Sequence, residues 1–111
     1  MSREELPPHF QPVCKTEDVP EDFGRKTRLG DRTIAVFRVG SSFYAIDDTC
    51  THGQASLSEG YVEGEEVECP LHQGRFHLPT GRPACQPVTE PVRTYAVRVA
   101  GGEIYVELPG D

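Results

Sequence analysis

No window of eleven or more residues in this chain carries a helical period, and that constrains its fold more than anything else in the sequence. Eleven glycines and ten prolines cut the apolar runs short. What remains is a series of brief β-like runs bounded by turn formers. Phe10–Lys15 reads as a first strand. Arg25–Leu29 and Arg32–Val39 flank Gly30-Asp31 as a hairpin, and Ser42–Asp47 follows across a second turn. Thr94–Val99 and Glu103–Leu108 form a last hairpin around Ala100-Gly101-Gly102. Ile34-Ala35-Val36-Phe37 is apolar at every position, as a strand buried on both faces would be. Glu17–Phe23 has room for one helical turn, which Pro20 limits. The pattern predicts an all-β protein, a small antiparallel β sandwich or barrel in a single domain over 1–111. The segment from about 48 to 79 reads as a loop-rich insertion between two groups of strands.

At 111 residues the chain can bury one core, with no room for a separate substrate domain. No apolar run approaches the roughly 20 residues that a membrane helix requires. The start, MSREELPPHF, lacks the apolar stretch of a secretory signal, so a cytoplasmic protein with no membrane partner is expected. The chain ends just after the last hairpin, which sets the expectation of a complete protein. A net charge of −7 argues against nucleic acid as a partner, because binding it calls for a basic face. Seven of the acids fall between Asp47 and Glu68, where there is no Lys or Arg. Such a run is either a solvated face or a patch that steers a basic partner.

The chemistry concentrates in two short segments. One reads Cys50-Thr51-His52-Gly53, the other Cys69-Pro70-Leu71-His72-Gln73-Gly74, and sixteen residues lie between His52 and Cys69. Each supplies one thiolate and one imidazole. Zinc fingers more often draw a cysteine pair from one place and a histidine pair from another. Two mixed loops lying side by side bring Cys50 to Cys69 and His52 to His72. One iron could then take both sulfurs and a second iron both nitrogens, which is the ligand division of a Rieske [2Fe–2S] centre. Gly53 and Gly74 suit tight loops whose amides approach sulfide, and Pro70 stiffens the second loop. A four-ligand zinc site in an interaction module is the alternative that the spacing leaves open.

Cys-Thr-His-Gly, the sixteen-residue spacer and Cys-Pro-Leu-His-Gln-Gly-Arg-Phe together resemble the Rieske ferredoxins of bacterial aromatic-ring hydroxylating dioxygenases. Phe43–Thr49, Ser56–Gly60 and Thr80–Pro83 are similar to the same family's pattern, and the likeness runs from about Val13 to Leu108. The resemblance implies a one-electron carrier, not an enzyme, with Cys50, His52, Cys69 and His72 holding one [2Fe–2S] cluster per chain. It implies two partners, an NAD(P)H-dependent flavoprotein reductase that donates electrons and a terminal oxygenase that receives them, with the carrier a monomer. It also implies that the two histidines lie at an exposed tip. Respiratory Rieske proteins carry an extra disulfide between their cluster loops; Ala55 and Leu71 stand at those places here. Arg75 and Phe76 stand where those proteins place hydroxyl donors, which implies a lower reduction potential. The small subunit of an assimilatory nitrite reductase, which has a similar fold, is the other electron-transfer reading.

Six further residues are read as structural. His9 and His77 share no ligand spacing with a cysteine. Cys14 falls in a strand as a small apolar residue. Cys85, in Pro83-Ala84-Cys85-Gln86-Pro87, lies in what resembles the family's third, proline-containing loop, which places it near the cluster without binding it. Asp47-Asp48 reads as a pair of turn formers at a strand end.

Overall fold

The computed structural model of the chain describes residues 9–21, 23–51, 55–70, 74–85 and 90–108. Among the described residues eleven strands run in order: β1 (Phe10–Lys15), β2 (Arg25–Leu29), β3 (Arg32–Val39), β4 (Ser42–Asp47), β5 (Tyr61–Glu63), β6 (Glu66–Glu68), β7 (Arg75–His77), β8 (Pro83–Cys85), β9 (Thr94–Tyr95), β10 (Val97–Ala100) and β11 (Glu103–Glu107). They form three antiparallel sheets, ordered β1-β11-β10, β2-β3-β4-β9 and β5-β6-β7-β8. The all-β antiparallel expectation is met, and the first four strands fall where the turn formers place them.

Strand β3 explains how the parts join. Side chains alternate across a strand, and here both faces meet apolar partners. Ile34 and Val36 enter a core with Leu29, Ala45, Ile104 and Val106 from the first two sheets. Ala35 and Phe37 point the other way, into a core with Leu57, Val67, Phe76 and Leu78. All four are fully buried, which is why the run is apolar without alternation. The third sheet is thus laid against the outer face of the β2–β3–β4 sheet.

Two differences from the sequence reading have physical reasons. The run Thr94–Val99 is two strands. Tyr95 pairs with Ala45 in one sheet and Val97 with Val106 in another, so Ala96 is the corner where the chain changes sheets, and its carbonyl accepts the Glu107 N–H at 3.0 Å. The segment expected to be loop-rich holds the three short strands β5, β6 and β7, and β8 extends their sheet to Cys85. The one helical turn near Glu17 is a 3-10 turn at Thr16–Asp18, and a second, unanticipated one spans Leu57–Glu59.

Candidate metal centre

Both cysteines of the expected ligand set stand at the bases of equivalent turns. The Cys50 N–H donates to the Ala55 carbonyl at 2.9 Å, and the Cys69 N–H to the Gly74 carbonyl at 2.7 Å. Each bond runs from residue i to residue i+5, so the two segments are closed in the same way despite their different Cys–His spacing. Both cysteines are buried, at 3% and 0% exposure, and both belong to the core that contains Phe76 and Leu57. His52 and His72 lie outside the described residues, as do Gly53, Gln54, Leu71 and Gln73. Among the described residues no group of three or more His, Cys, Asp or Glu is placed to hold a metal ion.

The donor chemistry fits an iron–sulfur cluster on the thiolate side. One thiol from each of two turns converges on one apolar core, where bound thiolates are shielded from water. Each cysteine's N–H already has a backbone acceptor, which fixes the direction of its Cα–Cβ bond.

Each turn has its own anchor. Ahead of the first, the Asp48 carboxylate is buried and accepts the Ser56 hydroxyl at 2.5 Å and the Ser58 N–H at 2.9 Å, with the Lys26 ammonium 3.7 Å away. Thr51, between Cys50 and His52, donates its hydroxyl to the Glu90 carbonyl at 2.9 Å, tying the first turn to the chain that follows residues 86–89. Behind the second turn, Arg75 reaches Glu63 at 2.9 Å, Glu68 at 3.3 Å and Glu66 at 3.6 Å. These bonds, that to Glu63 foremost, raise the Arg75 pKa above its ordinary value, so it stays charged. Glu63 and Glu66 face one another directly in the ladder. Like charges so placed repel, and Arg75 offsets this.

The acidic stretch is therefore built into the fold. Asp47 accepts the Tyr95 hydroxyl, Glu65 accepts the Tyr44 hydroxyl at 3.2 Å, and Glu63, Glu66 and Glu68 share Arg75. Glu59 is exposed, and no described ion pair involves it.

Of the side chains expected to be structural, His9, His77 and Cys14 are described. His9 pairs with Glu107 at 2.7 Å, and His77 contacts Thr80 at 2.9 Å and Glu65 at 3.8 Å. Cys14 carries a free, half-buried thiol. Cys85 lies in β8 opposite Arg75, and the expectation for its side chain falls outside what is described. Asp48 was legible only as a turn former. Its buried, fully bonded carboxylate leaves no mark in a single sequence beyond the serines at 56 and 58. Arg75 had a partial signal, as the first cation after seven acids.

The sequence model of one family, described as the Rieske [2Fe–2S] domain, matches residues 9–96. The chain is 51% identical over 99 residues to the 3-phenylpropionate/cinnamic acid dioxygenase ferredoxin subunit of Escherichia coli K12, covering 87% of this chain and 92% of that one. It is 46% identical over 99 residues to the anthranilate 1,2-dioxygenase ferredoxin subunit of Burkholderia cepacia, covering 89% and 92%. Among solved structures it is similar to a chain in the complex of reduced oxygenase and oxidized ferredoxin of carbazole 1,9a-dioxygenase, with TM-score 0.82 and 46% identity over 89% of this chain and 93% of that one.

Proposed function

The chain belongs to the Rieske [2Fe–2S] domain family, and from that premise we propose that Cys50, Cys69, His52 and His72 are its cluster ligands, the cysteines on one iron and the histidines on the other. The protein is the electron-carrying ferredoxin component of an aromatic-ring dioxygenase system, as its relatives at about half identity are. The observation that carries the ligand assignment is the pair of buried cysteines at the bases of two identically closed turns, facing one core. When bound, the cluster accepts and returns one electron. The apolar core would hold its thiolates away from water, and Asp48 and Arg75 hold the segments beside each turn.

The donor in this reading is an NAD(P)H-dependent flavoprotein reductase, and the acceptor is the Rieske centre of a terminal oxygenase; the carbazole dioxygenase complex, which joins an oxygenase and a ferredoxin, supports the acceptor. A monomer acting in the cytoplasm suits a carrier that must meet both in turn. Among the described residues no helix is long and apolar enough to cross a membrane. The test is stopped-flow electron transfer. The oxidised protein should take one electron per chain from such a reductase and pass it to an oxygenase. A protein that accepts none, or holds zinc in place of iron, would overturn the reading.

A further inference from the structure

We propose that Asp48 is a positioning residue for the first ligand turn, fixing where Cys50 sits relative to the β2-β3-β4-β9 sheet. This rests on the ligand assignment above.

The geometry is specific to the turn. Asp48 grips the returning limb twice. Its carbonyl accepts the Leu57 N–H at 2.6 Å, and its carboxylate accepts the Ser58 N–H at 2.9 Å and the Ser56 hydroxyl at 2.5 Å. Thr49 bridges to Ser56, and Cys50 bonds to Ala55. The outgoing residues 48–50 thus pair in register with the returning residues 55–57, and the carboxylate locks that register from the closed end. Asp48 is also tied to the β2-β3-β4-β9 sheet. Its N–H donates to the Thr33 carbonyl at 3.2 Å, and Lys26 on β2 lies 3.7 Å from the carboxylate. The Ser56 and Ser58 hydroxyls lie 3.0 Å apart, so the side chain sits in a small polar network beside the apolar core.

A carboxylate only 4% exposed is an expensive way to close a turn. Burying a charge is costly unless its bonds are well made. What this side chain adds is two polar atoms at a fixed separation, one for the Ser58 N–H and one for the Ser56 hydroxyl, on a residue whose own N–H is held by Thr33 of β3. Such support of a metal ligand is typically worth a factor of 10–100 in metal retention. Stabilising the hairpin alone would not require the grip to extend from the β2-β3-β4-β9 sheet to both limbs of the ligand turn.

Three variants separate positioning from simple stabilisation: Asp48→Ala, Asp48→Asn and Ser56→Ala. Each is purified with its cluster. The readouts are the EPR g-values of the reduced protein, the rate of iron loss to a chelator, and the melting temperature. Asp48→Ala is expected to shift the g-values and speed iron loss by at least about tenfold. Asp48→Asn, which keeps an oxygen for the Ser58 N–H and lets its amide NH2 donate to the Ser56 hydroxyl oxygen in place of accepting from it, should restore the wild-type g-values even though it loses the attraction to Lys26. Ser56→Ala should show a smaller shift in the same direction, and it carries the test alone if Asp48→Ala does not fold. Wild-type g-values and iron-loss rates in Asp48→Ala, whatever its melting temperature, would overturn the proposal. So would an Asp48→Asn protein that behaves like Asp48→Ala, because the effect would then be one of charge, or a Ser56→Ala protein indistinguishable from wild type where Asp48→Ala does not fold. A wild-type protein without a histidine-ligated cluster would instead sink the ligand assignment on which the proposal rests.

Discussion

Cys14 and Phe76 make the argument at the scale of single residues. The Cys14 thiol is half-buried, and its pKa is pushed up to about 11, by burial first and Asp18 second, with Arg25 opposing. A thiol kept protonated is a poor nucleophile, so Cys14 should resist alkylation at pH 8 while the protein is folded. The folded pKa lies above the unfolded one. Its contribution to stability is therefore complete below about pH 9 and lost as pH rises toward 11. Cys14→Ser should flatten melting temperature against pH across that window, and an unchanged alkaline slope would contradict it.

Phe76 is fully buried in the core shared by Cys50 and Cys69. It offers no hydroxyl to the cluster. The wild-type potential should therefore lie toward the low end of the Rieske range of about −150 to +300 mV. Phe76→Tyr places a donor in the same core and should raise it. Protein-film voltammetry that finds the wild type well above zero, or the variant at or below wild type, would refute this.

At the scale of elements, legibility followed strand length and the number of buried faces. Strands β1 to β4 have five to eight residues between clear turn signals, and they were readable. Strands β5, β6 and β7 have three residues each, and β5 and β6 carry glutamate at three of their six places, a residue with weak β preference. Val62, Val67 and Phe76, stacked into the core, and Arg75 among its glutamates hold them as strands, and those contacts form only once the sheet exists. Half of the candidate site was legible in the same way. The ligand spacing is local and could be read, whereas the Asp48 and Arg75 anchors join residues that are adjacent only in the fold.

Gly60 shows how closely these elements approach. A Cβ there would lie 2.1 Å from the Glu68 carbonyl oxygen, one residue before Cys69. Gly60→Ala must push β6 aside and should lower stability by about 1–3 kcal/mol. Iron should also be lost faster, measured by chelator challenge. Gly64→Ala, strained by a φ of +59° but with nothing within 4 Å of the added Cβ, is the comparison that loses stability without pushing β6. Equal iron-loss rates in the two variants would show that the approach of Gly60 to β6 does not matter to the site.

For the whole molecule, size limits how a carrier can meet two partners. Its accessible surface is 6360 Å². A standard interface takes about 800 Å² from each side, so one docking face would occupy about an eighth of it. Electrons leave best where the cluster is nearest the surface, so both partners should use overlapping faces around the two ligand turns. Most acids there are engaged by Arg75 and by tyrosine hydroxyls, yet three glutamates around one arginine still leave a negative surround. Transfer rates should therefore fall as salt rises, since exposed charges are screened beyond about 8 Å at physiological ionic strength. Glu59→Lys, at the exposed end of the Leu57–Glu59 turn, should slow transfer more than Glu17→Lys in the Thr16–Asp18 turn, with the cluster spectrum unchanged. Stopped-flow rates across a salt series decide this, and equal, salt-independent rates would make the acids purely structural.

The central claim is that one iron of a two-iron cluster is held by two histidines, one from each turn. Pulsed EPR of the reduced protein with ¹⁵N-labelled histidine measures this directly. The expected result is strong coupling to two histidine nitrogens, with one coupling lost or the centre destroyed in His52→Ala and again in His72→Ala. An iron–sulfur signal with no histidine coupling, or an EPR-silent protein holding stoichiometric zinc, would contradict it.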